Sequence, residues 1–407
     1  MSKIVIKLDE HTFASPDRIE RITKKIINEK NNGFEVVVVV PFIHLIDEKL
    51  RQYAFTLSEN PIQRELDSIR STNTQITSSL LTIALNKRGY NAVSLTGWQA
   101  GISTITPNRN VLIEHIESEN ILSHLRNGEI TIIAGGQGID ENNNITLLGE
   151  GGVETTAVGV AVAIDAERVE IYTNETGVFT ADPKIVKDAH QIKQMSYDEM
   201  LELSLLGSKI IHPRAVELAK KYNMTIVIGS STENVPGTVI KGEVEMERNL
   251  IVRGIAYETD IIRLTVGYDS YEQASLASLF TTLADNNINV DIIVQAVIDG
   301  VKPTVSFSID KEVFAEAIKV LEMNKQLLGF SFADFEVGLA KVSIVGSGMV
   351  SNPGVAARMF DRLKNEQIQV KMVSTSEIKV SVVVPQDDMV RAANALHDEF
   401  NLVEELV

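Results

Sequence analysis

The chain has no cysteine among its 407 residues. Disulfides, thiolate nucleophiles and cysteine-held metals are therefore excluded, and the absence suits a reducing, cytoplasmic setting. Aromatic residues are scarce, at 5%, and the single tryptophan, Trp98, is expected in the core. Positive charge is in deficit: 38 Lys and Arg against 55 Asp and Glu give a formal net charge of −17. Nucleic acid and anionic membranes are poor partners for such a chain. No apolar run approaches the ~20 residues of a membrane span. The N-terminus, MSKIVIKLDE, lacks the apolar core and cleavage site of a signal peptide. The seven histidines show no ligand-like spacing, so no metal site is expected. What is present is 44% apolar content, ample for packed cores, and a length that suits two or three domains.

The first part of the chain alternates strand and helix signals. Lys3 to Lys7 suits a strand. Ser15-Pro16-Asp17 reads as a helix start with Pro at the first helical position. Ile19, Ile22, Ile26 and Ile27 give that helix one apolar face to about Asn31, and Gly33 ends it. Phe34 to Val40 is a largely apolar run, as in a strand covered on both faces. A helix over Thr77–Arg88 and strands over Ala92–Thr96, Ile130–Ala134, Val169–Thr173 and Thr225–Ile228 follow. The pattern predicts an α/β domain over residues 1–242, an open and mainly parallel sheet with helices on both faces. Ligands on such sheets bind at strand C-terminal ends, where the glycine turns Gly135–Gly138 and Gly149–Gly152 fall. A charged linker from Gly242 to Arg248 closes the domain.

The C-terminal part contains an internal repeat. Ala277, Leu279-Phe280, Leu283, Ile288 and Val290 recur 80 residues later as Ala357, Met359-Phe360, Leu363, Ile368 and Val370. Each copy reads strand, helix, strand, then a further strand and helix, a βαββαβ-like pattern over 243–335 and 336–407. Each has a loop at a helix N-terminus suited to a carboxylate.

The stretch from Leu148 to Lys184 carries the most chemistry. Gly149-Glu150-Gly151-Gly152 runs into Thr155-Thr156 and an Ala/Val-rich helix, then a strand and a polar loop. A glycine turn at a helix N-terminus can hold an anion, although alone such a turn is more often only a turn. The order of the pieces is more specific. LGxGGxxTTA, a strand, YTxxxGVFTADPK, Met195–Leu203 and Ile211-His-Pro-Arg-Ala215 follow one another, with Ser94–Ile102 upstream. From about Lys3 to the C-terminus this series resembles the aspartokinases of the amino acid kinase family. The resemblance implies a kinase domain followed by two ferredoxin-like ACT domains, which in that family bind lysine or threonine and join subunits. It implies ATP and Mg2+ for an active enzyme and no permanent cofactor.

In that family the γ-phosphoryl of ATP moves to the side-chain carboxylate of aspartate. That nucleophile is ionised at pH 7 and needs no base. The catalyst must align two anions and neutralise the developing charge. The resemblance assigns Lys7 to the phosphates and Glu154, in place of an aspartate, to catalysis. Thr74 and Glu150 fall on substrate positions, where the family has a glutamate for the ammonium and an arginine for the α-carboxylate. Gly151, Gly152, Thr173, Asn174, Val178, Phe179, Asp182, Lys184 and Lys209 fall on nucleotide positions. Asn289, Asp291 and Gln295 in the first repeat, and Ser374, Thr375 and Glu377 in the second, fall on effector positions. Asp291 and Gln295 read equally well as solvated edge residues. Glu272-Gln273-Ala274 stands where the second copy keeps Pro353-Gly354, so one effector site is expected to be altered.

The departures from the family pattern fall on the substrate side. Asp9 and Glu10 stand in place of two glycines. Facing phosphate, two anions ~4 Å apart at an effective dielectric near 20 repel by about 4 kcal/mol. Pro41-Phe42-Ile43-His44 replaces Ser-Ala-Met-Gly, Thr74 lacks the glutamate's charge, and Glu150 reverses the arginine's sign. The sequence therefore predicts weak or lost catalysis on aspartate. It predicts a regulatory role, as a homo-oligomer through the ACT domains or in hetero-assembly with an active relative. Two other readings are an amino acid kinase for a less acidic, cationic compound and a slow genuine aspartate kinase. His212 reads as a structural hydrogen-bonder, because this chemistry requires no base.

Overall fold

The computed structural model describes residues 1–107, 110–207, 210–242, 251–270, 275–296 and 302–402. Lys209, Glu272–Ala274 and most of the 242–248 linker lie outside the described residues. The chain divides into two compact units. The described residues within Met1–Val178, Gln191–Leu205 and Lys209–Glu245 form the first; those within Phe179–His190, Leu206–Ser208 and Met246–Val407 form the second.

The first unit runs β1 (Lys3–Lys7), α1 (Pro16–Asn31), β2 (Glu35–Val40), α2 (His44–Leu57), α3 (Gln63–Lys87), β3 (Ala92–Leu95), β4 (Ile102–Ile105), β5 (Leu112–Ile116), α4 (Glu119–Arg126) and β6 (Ile130–Ala134). It continues with β7 (Gln137–Ile139), β8 (Ile145–Leu147), α5 (Gly152–Ala163), β9 (Arg168–Thr173), β10 (Gln194–Ser196), α6 (Tyr197–Leu205), α7 (Pro213–Tyr222), β11 (Ile226–Ser230) and β12 (Thr238–Lys241). The main sheet has the order β10-β12-β11-β9-β1-β2-β6-β3 and is parallel except for the β11–β12 pair. A small sheet, β5-β4-β7-β8, stands apart from it. Its strands of three to five residues are too short to leave a periodic signature in the sequence.

Strand alternation sorts the central residues between the two faces of the main sheet. Ile4, Ile6 and Leu8 pack with Ile22 and Ile26 of α1 and with Leu81 and Leu85 of α3. Val5 and Lys7 fall on the opposite face, and α5 also packs against β1. Helix α1 starts as the sequence predicts, with Ser15 Oγ accepting the Arg18 N–H and Pro16 at its first position. Helix α3 begins 14 residues earlier than the predicted Thr77. Its first half hides polar side chains, which mask the apolar period. Asn73 Oδ1 accepts the Ile43 N–H at 2.9 Å while its Nδ2 donates to Ile43 O at 2.8 Å, and Thr77 Oγ1 donates to Pro41 O at 3.1 Å.

The second unit runs β13 (Gly254–Gly267), α8 (Leu276–Asp285), β14 (Ile293–Ala296), β15 (Thr304–Asp310), α9 (Phe314–Met323), α10 (Lys325–Leu328), β16 (Phe332–Val345), α11 (Val355–Asn365), β17 (Met372–Thr375), β18 (Lys379–Pro385) and α12 (Met389–Glu399). Its strands form one six-stranded sheet, β14-β15-β13-β16-β18-β17. β13 and β16 are each 14 residues long, longer than the segments read from the repeat. They pair antiparallel along their length, with register shifts between Glu258 and Arg263. The Ile261–Gly267 half of β13 pairs with β15, and the Leu339–Val345 half of β16 pairs with β18. The repeated residues do repeat their roles: Leu279, Leu283 and Ile288 lie in one core, Met359, Leu363 and Ile368 in another.

The second core also takes in Ala181 and Val186 of the Phe179–His190 segment. Ile255 N–H donates to Thr180 O at 2.7 Å, and Thr180 Oγ1 lies 2.9 Å from Nε2 of the fully buried His397 on α12. Burial, then the neighbouring His190 ring, hold His397 below the ordinary histidine range against the pull of Asp398 and Asp188. The unfolded chain therefore binds the proton more readily than the folded one. Stability is full above the ordinary range near 6.5 and declines as pH falls below it. The thermal midpoint of the wild-type chain should drop between pH 7.5 and 5.5 by more than that of His397→Gln. Parallel pH profiles for the two proteins would remove this account.

Candidate functional site

β1 and β9 are neighbours from which the sheet order runs in opposite directions. Such a point opens a crevice beyond the strand C-termini. A cleft of about 480 Å³ lies there, and all its lining residues come from the first unit. Lys7 closes β1, Thr173 closes β9, Pro41 and Phe42 follow β2, and Gly149, Gly151 and Gly152 lead into α5.

Two of the expected catalytic residues meet here. Lys7 Nζ lies 2.6 Å from Glu154 Oε1. Burial disfavours the Glu154 carboxylate, but the charge and hydrogen bond of Lys7 outweigh it and hold the group below the usual carboxylate range. The turn before α5 is built to stay tight. Gly149 and Gly151 have φ of 72° and 67°, and a Cβ on Gly151 would come within 2.2 Å of the His212 ring. The hydroxyls of Thr155 and Thr156 donate back to Gly151 O and Gly152 O, both at 2.7 Å. The N-terminus of α5 at the cleft provides N–H groups and a dipole that favour an anion.

The four acid or polar replacements have different fates. Asp9 and Glu10 do line the cleft. Asp9 Oδ1 accepts the Thr12 N–H at 3.0 Å, capping a short 3-10 turn, while its Oδ2 is buried without a hydrogen-bond partner. Glu10 Oε2 accepts the His44 N–H at 2.9 Å, at the start of α2. Thr74 is fully buried behind the lining, where its hydroxyl receives Gln137 Nε2 at 2.6 Å. Glu150 is exposed and is not part of the lining.

Arg214, in the Ile-His-Pro-Arg motif, has a role the sequence reading left unassigned. Its guanidinium donates to Leu148 O at 2.8 Å, Val111 O at 3.0 Å and Glu150 O at 3.3 Å, so it holds the glycine turn by its carbonyls. His212 Nδ1 accepts the Arg214 N–H at 3.2 Å, the structural hydrogen bond anticipated for it. A lone arginine at the second position of a helix gives no sequence signal for such a role.

The nucleotide positions divide between the units. Gly151, Gly152, Thr173 and Asn174 line the cleft, joined by Glu175. Val178 is buried, its N–H held by Thr238 Oγ1 at 2.8 Å. Phe179, Asp182 and Lys184 belong to the second unit. There the Asp182 carboxylate accepts the Lys184 N–H and the Tyr257 hydroxyl, both at 2.9 Å. Burial and that carboxylate push the Tyr257 hydroxyl up to about 12.

The effector positions separate too. Gln295 lies on β14 with Asn289 and Asp291 just before it, while Ser374 and Thr375 lie on β17 with Glu377 just after. These are the two opposite edges of the six-stranded sheet. Asp291 is engaged by Lys341, whose buried Nζ also pairs with Glu258.

The ion pair sets a test. Glu154→Gln leaves the Lys7 ammonium, with 9% of its side chain exposed, facing a neutral group. Stability should fall by about 3 kcal/mol in urea titrations. Glu150→Gln, at an exposed position, should change it by less than about 0.5 kcal/mol. Equal losses would contradict the placement of the two side chains.

Comparison with known proteins agrees with this arrangement. The amino acid kinase family model matches residues 2–230 and an ACT domain model matches residues 342–400. Aspartokinase of Bacillus sp. (strain MGA3) is 50% identical over 402 residues, covering 99% of this chain and 98% of that protein. Aspartokinase 2 of Bacillus subtilis (strain 168) is 48% identical over 402 residues, with the same coverage. Among solved structures, E. coli aspartokinase III in complex with aspartate and ADP shares the fold, with a TM-score of 0.78 at 21% identity. That match covers 97% of this chain and 99% of that one. Aspartate kinase from Synechocystis is 33% identical with a TM-score of 0.54, covering 99% of this chain and 71% of that one. An α/β kinase-type domain with a lysine, a glycine turn and a helix start around one cleft, followed by ACT repeats, makes this chain a member of the aspartokinases within the amino acid kinase family.

Proposed function

We propose that the chain binds ATP in the cleft and phosphorylates aspartate weakly or not at all, serving chiefly as an amino-acid-responsive regulatory protein. One observation carries this reading. The described lining holds the acids Asp9, Glu10, Glu154 and Glu175 against two basic residues, Lys7 and His11, and Lys7 is already paired. Aspartate brings two carboxylates to such a cleft. Arg214 is engaged with main-chain carbonyls. The objection to aspartate thus rests on Asp9 and Glu10, and the exposed Glu150 adds little to it.

The phosphate side fits better. Lys7 and the first N–H groups of α5 would hold phosphate oxygens, and Thr173 and Asn174 would flank them. Among the described residues no three acids or histidines group closely enough to hold a metal alone. Mg2+ would come with the nucleotide and take one or two carboxylates, as that ion does. Bound Mg·ATP supplies the γ-phosphoryl group; Lys7 neutralises charge on it and Glu154 keeps the ammonium aimed.

The effector is of the lysine or threonine class, and assembly runs through the ACT repeats, with a second copy or an active relative. All four residues of edge strand β14 are exposed, which supports association there. The absence of cysteine and of any described helix able to cross a membrane supports a cytoplasmic location. The same acids favour a second reading, phosphorylation of a less acidic, cationic compound. The names of the relatives favour the ordinary reaction, which keeps a slow aspartate kinase as the third.

Calorimetry with Mg·ATP and a coupled ADP-release assay with aspartate separate these. ATP should bind, and turnover should stay below about 0.01 s⁻¹, roughly a thousandfold under a typical enzyme. Asp9→Gly with Glu10→Gly should raise it. Turnover near 10 s⁻¹ in the unaltered chain would end the regulatory reading.

A further inference from the structure

The strand order β9-β1-β2-β6 gives the cleft two ends. Thr173 closes β9, with Asn174 just beyond it, on one side of Lys7 at the end of β1. Pro41 and Phe42 follow β2 on the other side, and Gly135 and Gly136 follow β6 beyond them. In phosphoryl transfer the attacking and leaving oxygens lie roughly in line. With a nucleotide on the β9 side, an acceptor has to reach Lys7 from the side of β2 and β6.

That side is walled with hydrocarbon. Phe42 and Val153, the second residue of α5, both line the cleft. Their side chains lie on the glycine turn after β6. A Cβ on Gly136 would stand 2.8 Å from Phe42 Cε2 and 3.3 Å from Val153 Cγ2, and one on Gly135 would stand 2.9 Å from Val153 Cγ1. The two glycines are what let ring and valine settle there. A carboxylate pushed between these groups would lose water and gain no hydrogen bond from them, which is costly.

The ring is also fixed in place. Thr77 Oγ1 donates to Pro41 O at 3.1 Å, and Asn73 holds both the N–H and the O of Ile43, at 2.9 and 2.8 Å. Glu10 Oε2 accepts the His44 N–H at 2.9 Å. Thr77 and Asn73 are themselves fully buried, and the Pro41 ring fixes the backbone torsion just before Phe42. Residues on both sides of Phe42 are thus tied down, so the side chain acts as a wedge and cannot leave by a swing of its loop.

We propose that Phe42 closes the acceptor end of the cleft, so that a nucleoside triphosphate is held while a small carboxylate acceptor is kept out. The proposal rests on the reading above and deepens it. Space as well as charge bars aspartate, and ATP becomes a retained ligand in place of a consumed one.

The cysteine-free chain permits a direct test. Val153→Cys places a sole thiol behind the ring. Iodoacetamide is small and uncharged, so its rate with that thiol reports space alone. Adding Phe42→Ala should speed this alkylation about tenfold or more, and Phe42→Leu, which keeps more of the bulk, should do so by less. Val158→Cys, at a fully buried position further along α5, should stay slow with and without the ring. Calorimetry should give Mg·ATP affinities that agree within about twofold across the Phe42 series. Equal rates at 153 with and without the ring, matching acceleration at 158, or a tenfold loss of Mg·ATP affinity in Phe42→Ala would each overturn the proposal and leave the charge argument standing. An unaltered chain that binds no ATP would instead end the reading beneath it, and the proposal with it.

Discussion

The contact between Lys7 and Glu154 is what the cleft depends on. It ties the last residue of the central strand to the first turn of α5. Both ends are dictated locally. Strand alternation puts Lys7 on the face of β1 that α5 covers, and the left-handed glycines fold the chain back so that α5 begins there. Neither group has full access to water, so the pair is held by its own attraction and by the small space around it. Arg214 and His212 brace the same turn from the start of α7.

The acids beside this pair have a local structural use. Glycines at positions 9 and 10 would leave two turns uncapped. Asp9 and Glu10 instead supply oxygens to the N–H groups of Thr12 and His44. The wall of the cleft is thus ordered by the same carboxylates that make it negative. The second Asp9 carboxylate oxygen is buried without a hydrogen-bond partner.

The fold was largely legible because its signals are periodic. The isoleucines of α1, the apolar β2 and the 80-residue repeat each state a period that only one element satisfies. Less was legible where burial is polar or strands are short. The first half of α3 hides Asp67, Ser71, Asn73 and Thr74, so its pattern reads as surface. At the site, Lys7, Glu154 and the glycine turn were readable from motif order. The fates of Thr74 and Glu150 were not: Thr74 lies on the buried side of α3, whose polar residues mask its inner face, and Glu150 sits in a tight turn, where neighbours in sequence can face opposite ways. Asp182 and Lys184 adjoin the nucleotide loop in sequence yet belong to the second unit, where Tyr257 and the ACT core claim their segment.

The long strands β13 and β16 have a consequence for how the repeats can be inherited. Each strand serves one repeat with half its length and the neighbouring repeat with the other half. A gene fragment ending between the copies, near 335, would cut β16 within its span and leave both halves with a raw edge. The duplication is therefore locked in: the two copies can drift in sequence, as their helix-start loops have done, but neither can be lost or transplanted without the other.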